Sequence, residues 1–328
     1  MTATVAPSQV EPGTAGRVPW QLKFAALSLI WGSSYLLIKL GLVSLEAVQV
    51  AWFRVLAGAA VLLVLLSFTR ASLPRRRRTW LDVSISGFLL CTVPFLLFAA
   101  AEERISSALA GIGNATTPMA SVLFGLVLLP GYRLAAPKLV AVFLGLMGVV
   151  VIMQPWQMQG RPDPLGFALA LVAGASYGLG WTWVKRRLSD GDTGGLSLPA
   201  AQLLSASAQL TVVALGWWVL RRDELATPFS LRTPTEGASS LPALLAVLVL
   251  GVVGTGVAQM LQYDVVRAAG PTVATTVTYL IPVVAVVLGV TFLDEVLSWP
   301  QLLGAGIVLA AAVVIGSPVR RRRPVPSG

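Results

Sequence analysis

Uninterrupted apolar stretches recur along almost the whole of this 328-residue chain, joined by short polar connections. Each is long enough to cross the roughly 30 Å hydrocarbon core of a bilayer, which takes about 20 helical residues. In lipid every backbone N–H and C=O must be satisfied inside the structure, so only helices and closed barrels can span it. A barrel needs segments of about ten residues that alternate apolar and polar. The runs here are continuous and rich in Leu, Ala and Val, so the pattern is helical. Charged residues make up only 12% of the chain, against about 25% in soluble domains.

The pattern predicts an all-α integral membrane protein with ten transmembrane helices. They are expected near residues 20–42, 45–68, 80–101, 105–129 and 136–154, then near 164–187, 198–220, 241–265, 270–293 and 298–317. Residues 1–19 read as a disordered cytoplasmic leader, since no charged start and short apolar run of a signal peptide occurs there. With the N-terminus inside, seventeen of the 24 Lys and Arg residues fall on the inner side, as the positive-inside rule demands. Both termini are thus expected in the cytoplasm, with the protein in the inner or plasma membrane. The net charge of +10 then sits largely in topology anchors such as Arg75–Arg78 and Arg320–Arg323, which face anionic membrane lipids rather than nucleic acid.

The residues that are missing narrow the function. There is no histidine, and Cys91 is the single cysteine. Histidine-based metal sites, catalytic triads, proton relays and intrachain disulfides are therefore excluded. No Gly-rich nucleotide loop followed by Lys-Ser/Thr occurs. The expectation is a non-enzyme with no cofactor and no metal.

The chain also repeats itself. Pro137-Lys138-Leu139 falls on Pro300-Gln301-Leu302, Val150-Val151-Ile152 on Val313-Val314-Ile315, and Pro155 on Pro318, all at one offset, while Pro118 and Pro282 correspond after one residue of slippage. Gly32-Ser33-Ser34-Tyr35 similarly matches Gly174-Ala175-Ser176-Tyr177. Two five-helix repeats follow, residues 20–155 and 156–318, with 319–328 as a basic cytoplasmic tail. An odd number of spans repeated in tandem must insert the second time from the opposite side, so the repeats are expected to be inverted around a central cavity.

Certain of these residues form recognisable motifs. Trp31-Gly32-Ser33-Ser34-Tyr35, Phe53-Arg54, and the stretch from Ile105-Ser106-Ser107 to Thr117-Pro118 in the first half, with Thr278-Tyr279-Leu280-Ile281-Pro282-Val283 followed by Leu293-Asp294-Glu295 in the second, resemble the EamA-like family of the drug/metabolite transporter superfamily. The likeness covers about residues 22–318. It departs at Gly131-Tyr132-Arg133, where the family often has Gly-Glu-Arg. The resemblance implies ten helices in inverted repeats and the export of amino acids or related small metabolites.

Polar side chains within a span are costly unless they face protein or water, so their alignment marks candidate sites. Four stripes occur: Asn114, Thr117 and Ser121; Gln202, Ser205 and Gln209; Thr255, Gln259 and Gln262; and Thr272, Thr275 and Tyr279. Each either lines a cavity or holds helices together. Arg54, about nine residues into its helix, needs something to offset its cost: a substrate carboxylate, a structural partner such as backbone carbonyls or Glu46, or snorkelling of its side chain to the interface. Trp31 with Tyr35, and Tyr177 with Trp181, put aromatic rings with polar tips one turn apart, suited either to a cavity for an amphipathic solute or an amine or to the interfacial aromatic belt, against which the mid-span position of 31 and 35 argues. The predicted substrate-binding set is Trp31, Tyr35, Arg54, Asn114, Thr117, Tyr177, Trp181, Gln202, Gln259 and Tyr279. Pro94, Pro118 and Pro282 are candidate hinges, because proline removes a helical hydrogen bond. Glu102, Glu103, Asp294 and Glu295 at helix ends read either as solvated termini or as sites for protons as coupling ion. Two functions stay open: a secondary transporter of a small-molecule substrate working by alternating access, and a non-transporting membrane subunit or lipid-handling protein. Either is compatible with a monomer or a homodimer.

Overall fold

The computed structural model describes residues 18–69, 71–133, 135–157, 163–189, 194–232, 239–292 and 298–316, and among them no strand occurs. Residues 1–17 of the leader, Leu293-Asp294-Glu295 and the basic tail lie outside the described residues. In chain order the α-helices are α1 (Trp20–Leu42), α2 (Ala47–Ser67), α3 (Arg77–Gly87), α4 (Val93–Glu102), α5 (Ser107–Ala115), α6 (Thr117–Leu128) and α7 (Ala136–Met153). They continue as α8 (Pro164–Arg187), α9 (Ser197–Leu220), α10 (Leu241–Gly251), α11 (Ala258–Ala269), α12 (Pro271–Thr275), α13 (Val277–Phe292) and α14 (Trp299–Gly316). Eight stretches among the described residues are long and apolar enough to cross a membrane, and two shorter apolar helices, 273–284 and 299–315, accompany them.

Two of the long stretches are interrupted by a wider turn. A π-helical segment, Phe88–Thr92, joins α3 to α4, and another, Val252–Val257, joins α10 to α11. The first runs into Pro94, which has no N–H to donate, and the carbonyl of Leu89 within it accepts a hydrogen bond from the Ser176 hydroxyl at 2.7 Å. In the second, the Thr255 hydroxyl donates back to the Leu250 carbonyl at 3.0 Å. Such bulges concentrate at functional sites because they expose carbonyls that an α-helix would hide.

Where single helices ending near Leu129 and Leu293 are predicted, the structure has breaks at Thr116 and Thr276. At each, the threonine hydroxyl bonds the carbonyl three residues back, Gly113 or Val273, at 2.7 Å. Pro118 therefore opens α6 rather than kinking a continuous helix, whereas Pro282 lies inside α13. Pro94 likewise opens α4. The two breaks thus fall at threonines, with the prolines two and six residues downstream.

Small residues bring these helices to backbone contact. A Cβ added to Gly174 of α8 would lie 2.4 Å from the Gly113 carbonyl oxygen of α5, and one on Gly178 would lie 2.5 Å from Ala120 Cβ of α6. Gly148 of α7 and Gly304 of α14 face each other's carbonyl oxygens at 3.0 and 2.7 Å by the same measure. Without a hydrophobic force between helices in lipid, such close fit supplies the association. Gly306, expected to help that contact, has nothing within 4 Å.

Ion pairs close the two ends of the bundle. At one end Lys23 pairs with Asp264, which also takes Arg267, and Arg187 pairs with Asp82 at 3.3 Å. At the other, Arg232 grips Glu46 through two nitrogens and reaches Glu103 at 3.1 Å, while Arg104 meets Asp163 at 3.1 Å. The bond from Arg104, with the N–H groups of Gly166 and Leu165 that Asp163 caps, holds that carboxyl below the usual carboxylate range.

Gly174→Ala is expected to lower the thermal midpoint of the detergent-solubilised protein, with overpacking costing about 1–3 kcal/mol, whereas Gly306→Ala leaves it unchanged. Melting followed by size-exclusion chromatography compares the two; equal midpoints would contradict the backbone contact at Gly174.

Candidate functional site

The chain is interrupted where the bundle is hollow. Both π segments and both threonine breaks border one internal cavity, whose walls come from α1, α2, α4, α5, α6, α8, α11, α12 and α13. Trp31, Ser34, Tyr35 and Ile38 of α1 form one side, with Leu90 and Gly254 contributed by the two π segments. Pro118 and Pro282 deprive the carbonyls of Asn114 and Thr278 of their helical donors, and both of those residues line the cavity. The Gly254 carbonyl is bonded by the indole N–H of Trp31 at 3.2 Å.

Arg54 is the single charged lining residue among those described. It is the eighth residue of α2, and only 4% of it is exposed. Its position follows from small residues: Gly58 packs against Thr255 and Gly251 against the Arg54 backbone, which lays α2 directly on the second π segment. The Arg54 Nε donates to the Thr255 hydroxyl at 3.1 Å, and the guanidinium carbon sits 3.9 Å from the centre of the Phe95 ring. Among the described residues no carboxylate lies within 4 Å of it. Glu46, the partner that sequence spacing offers, is taken by Arg232 and Arg221 at the end of the bundle.

Aromatic rings face this cation. Tyr35 meets Phe98 edge-on at 6.0 Å, and Phe98 stacks on Tyr177 at 6.1 Å. Two amides complete the set. The side-chain carbonyl oxygens of Gln259 and Gln262 are buried without a hydrogen-bond partner, while their NH₂ groups reach Cys91 Sγ at 3.4 Å and the Ala274 carbonyl at 3.5 Å. Orphaned buried acceptors are rare in folded proteins and call for an explanation such as a missing ligand or water. The cavity between the lining residues is about 50 Å³. That holds a few waters, so a larger solute requires the walls to separate.

Eight of the ten predicted binding residues line this cavity: Trp31, Tyr35, Arg54, Asn114, Thr117, Tyr177, Trp181 and Gln259. Gln202 and Tyr279 do not. Gln202 is buried between helices, donating to the Ser86 hydroxyl at 2.7 Å and accepting from the Tyr263 hydroxyl at 2.5 Å. The rest of its stripe does the same, with Ser205 on Ser84 at 2.8 Å and Gln209 on Thr92 at 2.6 Å, so that stripe binds α9 to α3 and the first π segment. Tyr279 is fully buried and gives its hydroxyl to the Val142 carbonyl at 2.7 Å. Phe95, Phe98, Gln262 and Thr278 are lining residues that the sequence reading did not select as binding residues. Phe98 lies one turn after Pro94, and that spacing from a proline is the only signal sequence carried.

Glu102, read as a possible solvated terminus, is 1% exposed. Its Oε2 accepts from the Ser107 hydroxyl at 2.8 Å and its Oε1 has no partner. Lys39 bonds the backbone carbonyls of Glu102 and Ile105 rather than that carboxyl. Glu103 is exposed and pairs with Arg232.

The chain matches the EamA-like transporter family twice, over residues 18–154 and again over 164–317. It is 28% identical over 291 residues to YedA, described as an uncharacterised inner membrane transporter of Escherichia coli strain K12, covering 88% of each chain. A probable amino-acid metabolite efflux pump of the same strain is 24% identical over 305 residues, covering 92% of this chain and 95% of the pump. A solved crystal structure, 20% identical, superimposes with a TM-score of 0.66 over 90% of this chain and 95% of its own. A bundle of membrane-length helices around an aromatic-lined, cation-bearing cavity, matched twice along its length, places this chain in the EamA-like family of membrane transporters.

Proposed function

We propose that the protein exports an amino acid or related small metabolite by alternating access between two inverted five-span halves. The observation that carries this reading is Arg54. A buried guanidinium costs several kcal/mol unless a partner offsets it, and the cavity offers it one hydroxyl and one aromatic face. A substrate carboxylate would complete its hydrogen bonding. The same solute's ammonium would satisfy the orphaned Gln259 and Gln262 oxygens and lie against the ring faces of Tyr35, Tyr177 and Trp181.

Three observations support inversion. The family pattern matches the two halves separately. Each half contains one π segment and one break at a threonine. Further, α1 starts at the end where Lys23 meets Asp264, and α8 starts at the opposite end, where Asp163 meets Arg104. The reading places the Lys23 end and both termini in the cytoplasm, in keeping with the distribution of Lys and Arg. Glu102, buried with one oxygen free, is the candidate for proton coupling. The relative described as an amino-acid metabolite efflux pump suggests the direction and the substrate class.

Liposomes containing the purified protein should release a labelled amino acid or related metabolite from a broad panel, tested with and without a proton gradient. Release no faster than from empty liposomes for every solute would sink the transporter reading. For a carboxylate-bearing substrate, Arg54→Gln is expected to remove a charge-assisted hydrogen bond of about 1.5–3 kcal/mol, roughly a ten- to hundredfold loss in affinity, with Arg54→Lys less damaging. An unchanged KM in Arg54→Gln would show that the guanidinium is structural.

A further inference from the structure

Trp181 belongs to three cavities at once. One face lines the central chamber, and the same side chain walls a small pocket beside Ser121 and Tyr132 and a larger one against α9 and α11. The larger is a cleft of about 390 Å³, against about 50 Å³ for the central chamber. Its floor is apolar and aromatic, from Val184, Leu198, Tyr263 and Val266, and its described charged residues are Lys185 and Arg267. Arg267 is neutralised by Asp264. Lys185 has no carboxylate within 4 Å among the described residues, and its ammonium lies 4.9 Å from the centre of the Tyr132 ring.

The indole is held in place from behind. Trp181 is 5% exposed and packs at 5.2 Å against Tyr263, whose hydroxyl donates to Gln202 Oε1. Gln202 in turn donates to Ser86, so the chain Trp181, Tyr263, Gln202, Ser86 ties α8, α11, α9 and α3 together. This gives the buried polar stripe of α9 a role that helix packing alone does not require: it supports the residue that the two chambers share.

We propose that the pocket behind Trp181 is a second binding site, an antechamber for an amphipathic carboxylate, and that Trp181 is the partition this solute displaces to reach Arg54. Both chambers present the same chemistry, aromatic faces beside a cation that has no carboxylate partner among the described residues, so one ligand class suits both. The proposal rests on the transport reading for its purpose, but its geometry is testable without transport.

The test places a thiol in the central chamber by Thr278→Cys in a Cys91→Ala background. It measures modification by membrane-impermeant methanethiosulfonates carrying either a sulfonate or a trimethylammonium group, in vesicles of each orientation. Trp181→Ala should accelerate modification at least tenfold from the face bearing Lys185 and leave the rate from the opposite face unchanged, while Trp181→Phe stays near the parent. From the Lys185 face the sulfonate reagent should outpace the ammonium reagent, and Lys185→Gln should shrink that ratio severalfold although Arg54 is intact. Tyr263→Phe, which only unties the indole's support, should give a smaller acceleration in the same direction and serves if Trp181→Ala does not fold. No acceleration in either variant, or equal acceleration from both faces, overturns the partition; a reagent ratio indifferent to Lys185→Gln overturns the anionic antechamber. A protein that labels as expected but moves no solute in liposomes would refute the transport reading and leave the antechamber standing.

Discussion

A guanidinium held away from water in the middle of a lipid-spanning bundle is the constraint around which the rest is arranged. Arg54 cannot shed its proton, because an arginine side chain stays charged in proteins. The fold therefore has to surround it with groups that tolerate a cation. It does so with the Thr255 hydroxyl on one side and the Phe95 ring on the other, both on segments where the helix is irregular or newly begun. Regular helices would offer only side chains; the π segments and threonine breaks add backbone carbonyls to the lining. This is how irregular backbone is accommodated at membrane depth, where it borders a cavity rather than lipid.

The same arrangement explains where polar residues are spent. Those on α9 are consumed in binding helices: Gln202, Ser205 and Gln209 each find a partner on α3 or the π segment after it. Those on α11 are not fully consumed, and Gln259 and Gln262 keep free acceptors facing the chamber. Satisfied groups rigidify the scaffold, whereas the acceptors left over on α11 remain open to a further partner. The ion pairs follow a similar division. They cluster at the two ends of the bundle, on side chains that remain a quarter or more exposed in most pairs, where each is worth little alone. Their contribution is to tie the loops and helix ends of the two halves to each other.

Much of the architecture was legible from residue order. Apolar runs located the helices to within a few residues: α1 and α8 begin and end at the predicted positions. Length and hydrophobicity act locally, and lipid leaves them few alternatives. Polar periodicity likewise marked which residues avoid lipid, but a stripe says only that its face is turned inward. Whether it meets a cavity or another helix depends on what stands opposite, and for Gln202 that is Ser86 and Tyr263, far away in sequence.

Residue order alone thus determined the helical membrane class, the position of the spans, the doubled pattern and the presence of one intramembrane cation, because each depends on local chemistry and the thickness of the bilayer. Tertiary structure decided the partners: that Glu46 goes to Arg232 and leaves Arg54 to Thr255 and Phe95, that Glu102 is buried, and that Tyr279 supports α7 instead of facing the chamber. It also decided that helix breaks fall at Thr116 and Thr276, where hydroxyls close the carbonyls, and not at the prolines. The physical reason is common to all of these. A side chain's environment in a bundle is set by helices that arrive from elsewhere in the chain, and a rotation of one helix by a single residue, about 100°, exchanges cavity for protein interior.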